Sequence, residues 1–214
     1  MRVLGTALIA IGMLFGCPSM AADLAVTFDQ TAAGAVPEGW KVGATNGGAE
    51  PARWVVEEIG GRKVFSLVEP ERRLPGDLYN VAWMPGTKVK DVDATVSIRA
   101  NKGSQDQGGG LIWRASDANN YYVARYNPLE GNFRLYHVKD GRRTQLATAE
   151  NLPIGTGEWF TMRIVQRGDH IEGYINGQKV LDARDRTFAE AGAIGLWTKA
   201  DATTSFDDLV VKDL

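Results

Sequence analysis

Gly110-Leu-Ile-Trp-Arg-Ala-Ser-Asp-Ala-Asn-Asn-Tyr-Tyr-Val-Ala-Arg125 leads through Tyr126-Asn-Pro-Leu-Glu130 into Gly131-Asn-Phe-Arg-Leu-Tyr-His-Val138. Three short apolar runs are separated by two clusters of Asp, Asn, Pro and Gly. None of the runs is long enough for a helix, and none repeats its apolar residues at 3.6. Short β-branched or aromatic segments bounded by turn residues form strands, so this stretch predicts an antiparallel meander.

Working outward, the same rhythm fills the chain. Candidate strands are Val26–Phe28, Arg53–Glu58, Lys63–Val68, Val81–Met84, Ala94–Arg99, Gly110–Ala115 and Tyr121–Asn127. They continue with Asn132–Val138, Thr144–Ala149, Trp159–Arg167, His170–Ile175, Gln178–Ala183, Ala193–Thr198 and Thr204–Lys212. Gly60-Gly61, Asp140-Gly141 and Asn176-Gly177 suit two-residue hairpin turns, whose central residues take positive φ. Asn101 to Gly110 reads as a longer polar loop, and Phe188-Ala189-Glu190 as one short helical turn. So many strands without covering helices predict an all-β fold, two antiparallel sheets packed face to face as a jelly-roll sandwich.

The 214 residues carry 24 basic and 26 acidic side chains. A near-neutral chain without basic runs lacks the electrostatic footprint of a nucleic-acid binder. Met1-Arg2 followed by the apolar run Val3–Phe15 and small residues up to Ala22 reads as a secretory signal, leaving 23–214 as a single exported domain, periplasmic or secreted. That run is too short to span a bilayer, and no later segment is long enough. The alternative uses Leu14-Phe15-Gly16-Cys17 as a lipoprotein box, with a lipid anchor at Cys17. Cys17 is the only cysteine, so residues 23–214 hold no disulfide, thiol nucleophile or Cys-based zinc site.

Beyond the opening stretch come Trp159, Tyr174-Ile-Asn-Gly-Gln-Lys-Val180, Gly192-Ala-Ile-Gly-Leu-Trp197 and Phe206-Asp-Asp-Leu209. This order resembles the concanavalin A-like lectin/glucanase superfamily, near its laminin G-like and 3-keto-disaccharide-hydrolase-like members, from about Phe28 to Leu214. The resemblance implies a jelly roll whose concave sheet holds a glycan, either as a binding module or as a hydrolase or lyase. The Glu-x-Asp-x-x-Glu strand of the glucanases has no counterpart here. Nor does the Asn-Ser-Gly-Ile run of the keto-disaccharide hydrolases, where this chain reads Gly109-Gly-Leu-Ile-Trp-Arg114. No catalytic residue is assigned, and carbohydrate binding without turnover is the expectation. A glycoside hydrolase or keto-glycoside lyase, and a protein-interaction module, stand as alternatives.

Strand alternation selects the binding residues. If Phe133 and Leu135 face inward, Arg134 and Tyr136 face outward; Ile194 and Leu196 likewise send Trp197 and Lys199 outward, and Trp113 sends Arg114. Between Tyr121 and Arg125 the two phases conflict, since one buries Arg125 and the other exposes Val123. Tyr122 and Tyr126 are therefore expected outward. Flat rings beside cations suit the apolar faces and hydroxyls of sugars. The competing reading makes these aromatics strand core; Trp40, Trp54, Trp83 and Trp159 are expected in core or strand-end packing. His137 and His170 stand alone, without a His-Glu-x-x-His or Gly-x-Ser-x-Gly motif. No cofactor is expected. Asp29, Asp207 and Asp208 could hold a structural Ca²⁺, against the simpler reading that they end strands and bond to turn amides.

Overall fold

The computed structural model describes residues 23–47, 52–70 and 79–214. The proposed signal, its cleavage site and Cys17 lie outside the described residues. The strands are β1 (Leu24–Val26), β2 (Lys41–Thr45), β3 (Arg53–Ile59), β4 (Arg62–Glu69) and β5 (Tyr79–Val89). Next come β6 (Val92–Lys102), β7 (Gly109–Asp117), β8 (Asn120–Asn127), β9 (Asn132–Lys139) and β10 (Arg142–Ala149). The last are β11 (Trp159–Arg167), β12 (His170–Ile175), β13 (Gln178–Arg184), β14 (Gly192–Lys199) and β15 (Thr203–Asp213). All strand pairing is antiparallel. The sandwich is the predicted one, with β2 as the strand the sequence reading did not find. Residues 188–190 form no helical turn, and there is no helix among the described residues.

An eight-stranded sheet runs β13-β12-β11-β6-β15-β4-β3, with β1 also paired to β15, and a seven-stranded sheet runs β10-β9-β8-β7-β14-β5-β2. The anticipated turns deliver this order. Asp140 and Gly141, and Asn176 and Gly177, all take positive φ, as two-residue turns between right-twisting strands require. Between the sheets lies the main core, which includes Trp54, Phe65, Ile98, Trp113, Phe133, Leu196 and Phe206.

The seven-stranded sheet is covered on its other face too. Tyr79, Val81, Ile112, Tyr121, Val123, Tyr136, Val138 and Trp197 form a second buried cluster there. Twist accumulated across the strands curls the sheet, carrying the end of β2 over this face to hairpins several strands away. Thr45 Oγ1 donates to the Ala118 carbonyl at 2.6 Å, the Asn46 amide to Asn119 Oδ1 at 2.8 Å, and Asn46 Nδ2 to the Gly141 carbonyl at 2.9 Å. Burial on both faces explains why β8 and β14 read as near-continuous apolar runs, while β12, covered on one face, alternates.

Candidate functional site

The expected outward direction of Tyr122 and Tyr126 is corrected by the structure. Both belong to the core between the sheets. The Tyr122 hydroxyl donates to Asp185 Oδ1 at 2.6 Å, and the Tyr126 hydroxyl to the Leu152 and Ile154 carbonyls at 2.8 and 2.7 Å. The argument from Val123 failed because the opposite face of β8 is also covered, so exposing Val123 was never the alternative. Burial, reinforced by the bond to Asp185, pushes the Tyr122 hydroxyl up to about 12.

Arg114 does not face outward either. A bulge in β7 gives it φ of 47° and turns its guanidinium inward, with only 2% of its side chain exposed. It donates to the carbonyls of Lys90, Phe188 and Gly168 at 2.7 to 3.0 Å and to Asp91 Oδ1 at 3.1 Å. Its donors tie the β11–β12 turn to the end of the sandwich. Above it lies a groove of about 370 Å³ lined by Lys90, Asp169, Asp185, Arg186 and Phe188. The acids of this groove are already engaged: Asp169 with Arg184 and Arg186, and Asp185 with Tyr122 and the Thr187 amide. His137 lies 3.1 Å from Thr187 Oγ1 and 3.4 Å from Asp185, a hydrogen-bonded interior residue.

Tyr136 and Trp197 share a face, as alternation predicts, but that face is the covered one. They are 4% and 1% exposed. Arg143 reaches over them from β10. Its guanidinium lies 4.4 Å from the Tyr136 ring centre, 4.9 Å from Tyr79 and 5.9 Å from Trp197. Cation–π attraction therefore roofs the aromatic floor with the chain's own arginine. The Trp197 indole donates to the Tyr121 hydroxyl, as buried indoles usually find a partner.

Polar groups gather at the end of this face where β7 begins. Arg125 stands between Gly110 and Arg134 in the ladder, and Gly110 leaves the approach clear, since a Cβ there would run into the Ala124 carbonyl. The Arg125 side chain is 2% exposed. Its Nη1 donates to Asn132 Oδ1 at 2.8 Å and its Nη2 to Glu130 Oε2 at 3.1 Å, while its Nε is buried without a partner. Asn132 Nδ2 also donates to Glu130, at 2.8 Å. Arg134 bridges Glu130 and Glu150 at 3.3 and 3.6 Å, and Lys199 lies 3.4 Å from buried Asp106, which accepts from Asn127 at 2.8 Å. Arg134 and Lys199 are thus brought together with Arg125, Asn132, Glu130 and Asp106, which the sequence reading did not select. The one signal available was the phase of β8 that sends Arg125 with Val123.

Electrostatics separate buried Asp106 from exposed Glu130. Burial raises Asp106 above the ordinary carboxylate range despite Arg125 and Lys199. Burial opposes ionisation of Glu130 as well, but hydrogen bonds from Asn132 and Arg125 and the charges of Arg125 and Arg134 hold it below that range. The loop before β7 is anchored by Asp201. Its carboxylate accepts the amides of Ser104, Gln105 and Asp106 at 2.7 to 3.0 Å and is held down at about 2.

Elsewhere, Arg62 donates to both Asp207 and Asp208, at 2.6 and 2.7 Å, and the Asp208 amide donates to Asp207. Neither acid ends a strand as the simpler reading expected: both lie inside β15, where its register shifts, and Arg62 draws them together. His170, Glu172 and Asp182 converge, with Lys179 Nζ 2.6 Å from each carboxylate.

A two-sheet sandwich with a curled, polar-ended face defines a lectin-like, carbohydrate-module class of fold. The carbohydrate binding module CBM66 from Bacillus subtilis superimposes with a TM-score of 0.63 at 22% identity, over 82% of this chain and 96% of that one. Domain 4 of AbnA, a GH43 extracellular arabinanase from Geobacillus stearothermophilus solved with arabinotriose, gives 0.56 at 13% identity over 87% and 89%. The carbohydrate recognition domain of Emp47p gives 0.58 at 13% identity over 92% and 99%. Among curated protein sequences none matches. Residues 28–212 match the model of the 3-keto-alpha-glucoside-1,2-lyase-like domain, and the chain belongs to that family.

Proposed function

We propose that this protein is an exported module that binds a carbohydrate at the polar end of the curled sheet without turning it over. The observation that carries the reading is the network of buried Arg125 and Asn132 with exposed Glu130, which is joined by Arg134, Glu150 and Lys199 at the edge of the face. Sugar hydroxyls both donate and accept. A set that mixes guanidinium, ammonium and carboxylate groups on a rigid sheet meets both needs. The neighbouring cations already neutralise each described acid at this edge, so net charge favours a neutral saccharide. Fold likeness to modules and domains with carbohydrate in their names supports the same class of ligand. The chain's leader-like first 22 residues support export.

The enzyme reading has one observation in its favour. Asp106 is raised and Glu130 lowered within the same network, the separation that distinguishes an acid from a base in glycoside chemistry. Against it, Asp106 is only 3% exposed and out of reach of a glycosidic oxygen. Affinity electrophoresis against a panel of neutral glycans and keto-glycosides, with product analysis by mass spectrometry, tests the choice. Retention without conversion, weakened at least ten-fold by Arg134→Gln or Lys199→Gln, is the expected result. Conversion of any glycan, lost in Asp106→Asn, would establish the enzyme instead.

A further inference from the structure

The opposite end of the same face is built differently. Trp83 stands on β5, directly across from Gly195 on β14 and Lys41 on β2. Its ring edge packs over Gly43, where a Cβ would come within 3.3 Å of Cη2 and Cζ3. Trp83 is half-buried, unlike Tyr79, Tyr121, Tyr136 and Trp197, which are at most 4% exposed. Beside it opens a groove of about 170 Å³ lined also by Pro85, Thr87, Lys88, Ser116 and Ala193. Glycine and alanine neighbours leave one flank of the indole clear. The Thr87 hydroxyl is engaged by the Met84 carbonyl and the Ile194 amide, and the Ser116 hydroxyl at the rim donates to Asp117 Oδ2 at 3.3 Å, so both shape the wall. Lys41 and Lys88 are exposed and belong to no ion pair among the described residues, whereas Lys199, Arg125 and Arg134 at the far end each face an acid.

We infer that the Trp83 groove is a second saccharide site, taking one pyranose unit that bears an acidic group. The sugar's apolar face lies on the indole, and its carboxylate or sulfate meets Lys41 and Lys88. Stacking supplies contact that every pyranose offers, and the two unpaired ammonium groups select the charged one. This inference extends the carbohydrate reading to another part of the sheet, and the two fail separately.

Titration of the protein with an oligogalacturonate and with a neutral oligosaccharide of equal length tests it. Trp83→Ala should weaken oligogalacturonate binding at least ten-fold. Lys88→Glu, on an exposed side chain that cannot disturb folding, should do the same for the acidic ligand and leave the neutral one unchanged. Binding should also fall steeply with added salt. Undiminished oligogalacturonate binding in Lys88→Glu, or loss of it only in Arg134→Gln, overturns the Trp83 site while leaving the polar-end reading intact. A protein that binds no acidic saccharide overturns the inference outright.

Discussion

The two ends of the curled face contrast in how they treat charge. At the β7 end, Arg125, Arg134 and Lys199 are locked against Glu130, Glu150 and Asp106, with Arg125 and Asp106 buried beneath the others. At the Trp83 end, a half-open indole is flanked by lysines that form no ion pair among the described residues. Between them lies an aromatic middle closed by Arg143. Neutralised cations surrendered their long-range field for hydrogen bonds of fixed direction, which read hydroxyl patterns. Unpaired lysines keep their field and read net charge. One sheet thus offers two kinds of recognition, separated by a middle that serves stability.

The comparison breaks most visibly in the middle. Trp197→Ala removes a side chain 1% exposed and should cost about 3–5 kcal/mol of stability. At this chain length that lowers Tm by roughly 6–20 °C. A Tm within about 2 °C of wild type would mean the ring is free and the aromatic middle open.

Asn132→Ala strikes the polar end. It leaves Arg125 Nη1 without its 2.8 Å acceptor and should cost about 1–3 kcal/mol. Glu130 and Arg134 lose their positioning with it. Neutral-glycan retention should fall while oligogalacturonate binding at Trp83 persists; urea denaturation and affinity electrophoresis read the two effects. Equal loss at both sites would show that the ends are coupled.

Asp201→Asn loosens the loop that carries Asp106. Asp201 is held at about 2, below its ordinary 3.8, by the amides of Ser104, Asp106 and Gln105 working against burial. A depressed folded value contributes stability above the unfolded value and loses it as pH falls through the folded one. The Tm difference between wild type and variant should therefore be full above about pH 4 and fade toward pH 2. A difference independent of pH would remove the carboxylate from the account.

The smallest effect belongs to Arg143→Gln, expected at about 0.5–2 kcal/mol from lost cation–π contact. Arg143 is half-buried and covers the rings from outside the main core between the sheets, so the fold should survive with the aromatic floor uncovered. Increased tryptophan quenching by acrylamide would register that opening, and unchanged quenching would show that β2 alone covers the rings.

How much of this was legible in the sequence can be stated residue by residue. The period-two runs, and pairs such as Asp140-Gly141 and Asn176-Gly177, determined an antiparallel sandwich, because side-chain alternation and positive φ are local requirements. Alternation also placed Tyr136 with Arg134, and Trp197 with Lys199, on one face. β2 escaped notice because Lys41-Val-Gly-Ala-Thr45 has weak β propensity and, among the described strands, pairs only with β5. The direction of Tyr122 and Tyr126 was decided by tertiary structure. A strand covered on both faces has no polar side from which to read its phase, and the cover on β8 comes from curl summed over a whole sheet. Arg114 followed a bulge, which shifts the phase of every later residue in β7. The roof of Arg143, the pairing of Arg125 with Asn132 and the open flank of Trp83 likewise depend on strands distant in sequence. Local chemistry can name the residues of such a face, but only the closed sheet determines which of them meet each other and which meet solvent.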